Sequence, residues 1–147
     1  LDGLSSSVTI ICLLFFVICA NKLNKPEIAI FSMTLAASLL GFLVFNKYPA
    51  KVFMGDTGSL ALGGAISAIA LLLNVPLILP IAGGIYFIET LSVIIQVVSF
   101  KTREKRVFLM APLHHHYEQK GWHETKIVAV FCVIEIILCV ISYLILF

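Results

Sequence analysis

Five long apolar stretches alternate with short polar segments along the chain. The stretches are 4–21, 27–45, 59–73, 77–100 and 127–147. A helix needs about 20 residues to cross the ~30 Å apolar core of a membrane. Most of the stretches approach or exceed that length, although the third is short unless its helix starts near Thr57. The pattern therefore predicts an all-α fold, a polytopic membrane bundle with about five transmembrane helices.

Composition supports a membrane protein. Of the 147 residues, 61% are hydrophobic and only 12% are charged, and the mean hydropathy is +1.09. Soluble domains carry about 25% charged residues, so a soluble class is excluded and we expect no nucleic-acid partner. The cysteines lie inside apolar stretches in pairs seven residues apart, which favours apolar packing over disulfides or a zinc site. They are Cys12, Cys19, Cys132 and Cys139.

The basic residues predict the orientation of the bundle. Five spans place the N-terminus, loop 46–58 and loop 101–126 on one side, which then holds eight of the ten Lys and Arg residues. The opposite side holds only Lys22 and Lys25. Loops rich in Lys and Arg stay in the cytoplasm, so we expect the basic side to be cytoplasmic.

The polar break at 52–64 is the first candidate site. Asp56 stands between two glycines just before an apolar stretch, and we expect Thr57 or Ser59 to cap a helix that opens at Leu60. A helix N-terminus suits a phosphate, and a carboxylate beside it suits a Mg²⁺ ion that bridges phosphate oxygens. The alternative is that Asp56 only caps the helix.

The second candidate site is a run of three histidines. His114, His115 and His116 directly follow Pro112, which suits the first turn of a short helix. Consecutive helical residues point about 100° apart, so we expect one or two rings to face a ligand and the rest to orient neighbours. The alternatives are a zinc cluster, for which His123 is the only further candidate, and a solvated polar helix.

Three more features complete the pattern. The basic run 101–106 is typical of an anchor to anionic membrane lipids, with direct phosphate binding as the alternative. Glu89 and Glu135 lie within spans, and we assign both a structural role; Glu89 shares a face with Gln96, which suggests mutual or interhelical hydrogen bonds. Pro and Gly residues at 80–84 predict a kink near the start of the fourth stretch.

These motifs resemble a known family. Phe53–Leu60, reading FMGDTGSL, resembles the signature of the polyprenyl-phosphate N-acetylhexosamine-1-phosphate transferases. The segment Met110–Trp122, reading MAPLHHHYEQKGW, resembles the branch that makes the first lipid-linked peptidoglycan precursor. The tetrapeptide Leu1–Leu4 resembles the tail of the family's Asp-Gly-Leu-Asp-Gly-Leu motif, and the stretch from Glu89 to Gln96 also fits.

The resemblance implies a multi-pass enzyme of the bacterial inner membrane. It would transfer phospho-MurNAc-pentapeptide from UDP-MurNAc-pentapeptide to undecaprenyl phosphate, giving lipid I and UMP, with Mg²⁺ bound by Asp56. Asp2 and Gly3 would line the uridine pocket, Phe53 would stack on uracil, and His114, His115 and His116 would contact nucleotide or phosphate. Gly55 and Lys120 are the remaining expected substrate contacts. Membrane lipids are further partners, and a homodimer stays open.

The sequence also predicts that the chain is one part of a domain, and it leaves two other functions open. The family's upstream aspartate pair has no counterpart here, so we expect residues 1–147 to be the C-terminal part of one transferase domain and to be inactive alone. A transferase that uses UDP-GlcNAc would share the Asp56 loop. A divalent-metal transporter with the histidines at its mouth is the alternative from a different class, although transporters bind substrate at the bilayer midplane rather than in loops.

Overall fold

The computed structural model describes all residues 1–147 and contains only helices. Five of them, α1, α2, α3, α5 and α7, are long and apolar enough to cross a membrane. This confirms the predicted all-α membrane bundle. The elements are α1 Leu4–Lys22, α2 Pro26–Asn46, α3 Gly55–Leu72, a 3-10 turn Pro76–Ile78, α4 Leu79–Ala82, α5 Gly84–Arg103, α6 Leu113–Gln119 and α7 Glu124–Leu146.

Helix α1 is the centre of the bundle. In the most apolar 18 residues of α1, 61% of the residues are buried, against 17 to 28% in the corresponding part of the other four long helices. Its fully buried side chains include Leu13 and Phe16, and it packs against α2, α3 and α7. All four cysteines are free thiols and three of them are buried, which confirms that they serve packing.

Helix α3 begins earlier than the sequence pattern predicted. It starts at Gly55, whose φ of +66° lets the backbone turn directly into the helix. The N-cap is Met54 and no side chain caps the helix, so the predicted caps Thr57 and Ser59 are wrong. The Ser59 hydroxyl instead donates to the carbonyl of Asp56 within the first turn. Asp56 itself is not a cap either, because it lies inside this turn.

The predicted kink in the fourth stretch is a complete break. The 3-10 turn ends at Ile78 and α4 at Ala82; Gly83 interrupts the helix, and α5 runs from Gly84 to Arg103. Helix α7 stabilises the break from the side. The buried Glu135 carboxylate accepts a hydrogen bond of 3.2 Å from the Ile85 backbone N–H, and the Cys139 thiol donates to the Ala82 carbonyl.

Contacts between loops define the two ends of the bundle. At one end, the Lys25 ammonium in the α1–α2 turn donates to the carbonyl of Leu72 at the end of α3. At the other end, the first residues of the chain contact the loop 47–54, and the ring of Tyr48 in that loop lies 5.1 Å from the ring of His123. The N-terminus, loop 47–54 and segment 104–123 therefore share one end, as the alternation of spans predicts.

Candidate functional site

The start of α1 is tied to the loop that precedes α3. A carboxylate oxygen of Asp2 accepts a hydrogen bond of 2.9 Å from the backbone N–H of Ala50. The buried amide of Asn46 adds two bonds, accepting from the Ser6 hydroxyl at 3.0 Å and donating to the Val52 carbonyl at 2.9 Å. These contacts fix the loop that carries the first candidate motif.

Gly3 makes this junction possible. Its φ is +73°, and a Cβ atom there would lie 3.2 Å from Leu43 Cδ1 and 3.5 Å from Lys47 Cα. A side chain would therefore be strained by the backbone and crowded by the end of α2. The sequence predicts Gly3 as a substrate contact, which stays a prediction; in the structure Gly3 lets the start of α1 pack closely against the end of α2.

The side chains of the Asp56 motif face outwards. The Asp56 carboxylate is exposed and makes no hydrogen bond or ion pair with the chain. Phe53 is 74% exposed, and no atom lies within 4 Å of the position a Cβ would take at Gly55. Lys120 is also exposed, with its ammonium 5.7 Å from the centre of the Tyr117 ring. These groups share one end of the bundle, and no hydrogen bond or ion pair joins their side chains.

Helix α6 carries the histidines and docks on the core. Its residues Leu113 and Tyr117 pack against a cluster that includes Leu4 of α1 and Phe131 of α7. The Tyr117 ring lies 4.9 Å from the Trp122 ring and 6.2 Å from the Phe131 ring. This confirms the predicted short helix, with Pro112 as its N-cap rather than in its first turn. It also places the histidines at the same end as Asp2.

Each of the three histidines uses its Nδ1 atom within the protein. His114 Nδ1 lies 2.9 Å from Oε2 of Glu89, whose Oε1 accepts from the His114 backbone N–H at 3.1 Å. His115 Nδ1 lies 2.5 Å from a Glu118 carboxylate oxygen. His116 Nδ1 accepts from the backbone N–H of Leu109 at 3.1 Å. No hydrogen bond within the chain uses the Nε2 atoms, so these are the nitrogens left for a ligand.

The segment before α6 runs back along α5 and is held there by side chains of that helix. Gln96 donates to the Phe108 carbonyl and accepts from the backbone N–H groups of Val107 and Phe108. The Ser99 hydroxyl donates to the Lys105 carbonyl. Sequence reasoning missed this strap, residues 105–112, although the predicted interhelical bond of Glu89 is confirmed by its contact with His114 of α6. One feature of the sequence could have indicated the strap. Glu89 and Gln96 lie seven residues apart on an apolar helix, so both polar side chains share one face and need hydrogen-bond partners there.

The donor set fits one mode of Mg²⁺ binding. The chain gathers no group of three or more His, Cys, Asp or Glu side chains that could hold a metal ion, so it offers no all-protein cage. Mg²⁺ keeps several waters and is usually held by one or two carboxylates together with substrate phosphates. The exposed, unpaired carboxylate of Asp56 fits that mode.

Comparison with known proteins identifies the family. The family model described as Glycosyl transferase family 4 matches residues 1–74, half of the chain. The chain belongs to glycosyl transferase family 4. This confirms the resemblance seen in the motifs, and the matched part contains Asp2, Gly3, Phe53, Gly55 and Asp56.

Several relatives are similar to this family 4 chain over nearly its whole length. A Clostridium botulinum protein is 61% identical over 144 residues, 98% of this chain and 44% of its own length. Proteins of Alkaliphilus oremlandii and Clostridium beijerinckii are 62% and 59% identical over 141 and 143 residues, covering 96% and 97% of this chain. All three are named phospho-N-acetylmuramoyl-pentapeptide-transferase. The chain spans less than half the length of these relatives.

Proposed function

We propose that this chain is part of an enzyme that transfers phospho-MurNAc-pentapeptide from UDP-MurNAc-pentapeptide to undecaprenyl phosphate, giving lipid I and UMP. The observation that carries the proposal is the 61% identity over 144 residues to a relative of that name. Since such relatives are more than twice as long, we propose that the chain forms the C-terminal part of one membrane-embedded transferase domain.

The reacting groups are two anionic phosphates, so the site must reduce their repulsion and align them. Mg²⁺ bound by Asp56 would supply positive charge at the diphosphate. The N-terminus of α3 adds backbone N–H groups and a partial positive charge beside the same carboxylate. His114, His115 and His116 would contact phosphate or nucleotide oxygens through Nε2, and Lys120 would add a cation.

Other exposed groups at this end suit the nucleotide. Phe53 is the exposed aromatic ring beside Asp56 and would stack on the uracil. Asp2 and Gly3 would line the uridine pocket, because their contacts bring the start of α1 against the loop that carries Phe53. Gly55, with open space at its α-carbon, lets a ligand approach the backbone closely.

The chemistry requires one displacement. A phosphate oxygen of undecaprenyl phosphate attacks the β-phosphorus of the UDP-sugar, and the bond from that phosphorus to the bridging oxygen breaks to release UMP. We favour direct attack over a covalent enzyme intermediate, because the Asp56 motif contains no hydroxyl or thiol nucleophile activated by a neighbouring base.

A cavity of about 520 Å³ between α1, α3, α4 and α5 suits part of the prenyl chain. It begins at Ser59, one turn from Asp56, and continues between the apolar side chains of Leu62, Ile66, Leu79 and Phe87. An acceptor phosphate at the Asp56 end could thus place its lipid tail within the bundle. We propose that this end faces the cytoplasm of a bacterium, since it carries eight of the ten basic residues.

The test uses the full-length enzyme, meaning this chain joined to the remaining part that its relatives carry. UMP release is measured with undecaprenyl phosphate and Mg²⁺, using UDP-MurNAc-pentapeptide or UDP-GlcNAc as the donor. We expect release with the first donor only, and its loss on removal of Mg²⁺ by a chelator. Release from UDP-GlcNAc alone would overturn the proposal in favour of the related transferase.

A further inference from the structure

The first and third histidines of α6 are bonded to partners of opposite kinds. His114 faces the Glu89 carboxylate, which in its ionised form can only accept hydrogen bonds. His116 faces the backbone N–H of Leu109, which can only donate. The two imidazoles therefore cannot have the same proton arrangement while both contacts are kept.

The partners determine which nitrogen carries the proton. The Nδ1 atom of His114 must carry a hydrogen to bond the carboxylate, so its Nε2 atom is bare in the neutral ring. The Nδ1 atom of His116 must be bare to accept from Leu109, so its Nε2 atom carries the hydrogen. His114 can take up a second proton at Nε2 without losing Glu89, whereas His116 cannot be doubly protonated without losing Leu109.

We infer that Glu89 is a positioning residue that makes His114 a proton-accepting histidine of the site, while His116 is fixed as a neutral donor. The inference rests on the proposed function for the identity of the ligand, a phosphate. A phosphate O–H transfers its proton to His114 Nε2: the O–H bond breaks and an N–H bond forms. The resulting imidazolium is paired with Glu89 and donates from Nε2 to the phosphate oxygen.

Glu89 is placed for this role and is not needed merely to hold the strap. Gln96 and Ser99 already bind the strap at Lys105, Val107 and Phe108, farther along α5. Glu89 binds both the backbone and the ring of His114, and both side chains are only 16% exposed. The bond to the backbone N–H holds the carboxylate beside the ring, and the low exposure of both side chains limits competition from water.

Replacing Glu89 by glutamine gives a sharp test. For both contacts to survive in Glu89→Gln, the amide oxygen must accept from the His114 backbone N–H and the amide NH₂ must donate to Nδ1. That arrangement inverts the tautomer of His114 while the side chain keeps its size. In a serine protease triad, changing the carboxylate beside the catalytic histidine to an amide lowers kcat by about 10⁴ for this reason.

The readout is ¹⁵N NMR of histidine-labelled full-length enzyme, with the His114 signals assigned by their loss in His114→Asn. Bare and protonated ring nitrogens give well-separated resonances. We expect Nε2 of His114 to be bare in the parent enzyme and Nδ1 to be bare in Glu89→Gln, with kcat lowered about 10²- to 10⁴-fold and a much smaller change in KM. Glu118→Gln should invert His115 and leave His114 unchanged.

The matched control is Glu104→Gln, which removes the same charge from an exposed residue at the end of α5 without contacting a histidine. An unchanged His114 tautomer in Glu89→Gln would overturn the inference, as would an inverted tautomer with unchanged kcat. Because the NMR signals do not depend on turnover, absence of UMP release in the parent enzyme would count against the proposed function, and the tautomers would still be decided. If Glu89→Gln does not fold, a parent spectrum with bare Nδ1 at His114 overturns the inference.

Discussion

The Asp2 carboxylate accepts a hydrogen bond of 2.9 Å from the backbone N–H of Ala50, 48 residues later in the chain. This contact joins the first residues before α1 to the loop that leads into α3. The loop carries Phe53 and ends at Asp56, so the geometry of the candidate site depends on a bond made at the very start of the described chain.

Replacing Asp2 by alanine should loosen that loop. A hydrogen bond of this kind contributes about 0.5–1.5 kcal/mol, so we expect the Ala50 amide to exchange with solvent up to about tenfold faster. Hydrogen exchange followed by mass spectrometry of the 47–54 peptide measures this. The control is Asp2→Asn, whose side-chain oxygen can still accept the bond and should keep most of the protection. Equal exchange in Asp2→Ala and the parent would show that the bond does not hold the loop.

Replacing Asp56 by asparagine should abolish most of the activity and leave the fold intact. The carboxylate has no partner within the chain, so its loss breaks no internal contact. If it binds Mg²⁺ at the diphosphate, kcat for UMP release should fall at least about 100-fold, the cost of losing one preorganised electrostatic group. Glu27→Gln is the matched control, because Glu27 occupies the first turn of α2 at the opposite end. Near-normal turnover in Asp56→Asn would remove this residue from the mechanism.

A side chain at Gly3 should destabilise the bundle. Alanine at this φ of +73° costs about 1–2 kcal/mol, and its Cβ would also press on Leu43 Cδ1 at 3.2 Å. We therefore expect Gly3→Ala to lower the thermal unfolding temperature in detergent. Gly41→Ala is the control, since no atom lies within 4 Å of its Cβ position in α2 and alanine favours a helix over glycine by about 1 kcal/mol. Equal unfolding temperatures for the two variants would contradict the crowding argument.

The apolar pattern was sufficient to predict the helices but not the details of the site. Length and hydropathy predicted every long helix, because a span of about 20 apolar residues has few alternatives in a membrane. The start of α3 was missed because the positive φ of Gly55 is a backbone property that no apolar pattern reveals. The pairing of Glu89 with His114 was missed because it depends on the strap folding back along α5, a tertiary arrangement of residues 25 positions apart.

The strap itself should depend on Gln96. This side chain makes three hydrogen bonds to the backbone of Val107 and Phe108, and no other side chain of α5 bonds to those two residues. Replacing Gln96 by alanine removes all three bonds, and since net losses of about 1.4 kcal/mol already change an equilibrium tenfold, the opened strap should become at least about tenfold more populated.

Trypsin detects that opening, because cleavage after Arg106 requires Val107 and its neighbours to leave α5. We expect faster cleavage at this bond in Gln96→Ala and an intermediate rate in Gln96→Glu, whose carboxylate accepts two of the bonds but cannot donate the third. Gln119→Ala is the control, as Gln119 is exposed at the end of α6 and makes no hydrogen bond through its side chain. If Gln96→Ala were cleaved after Arg106 no faster than Gln119→Ala, the strap would be held by something other than Gln96.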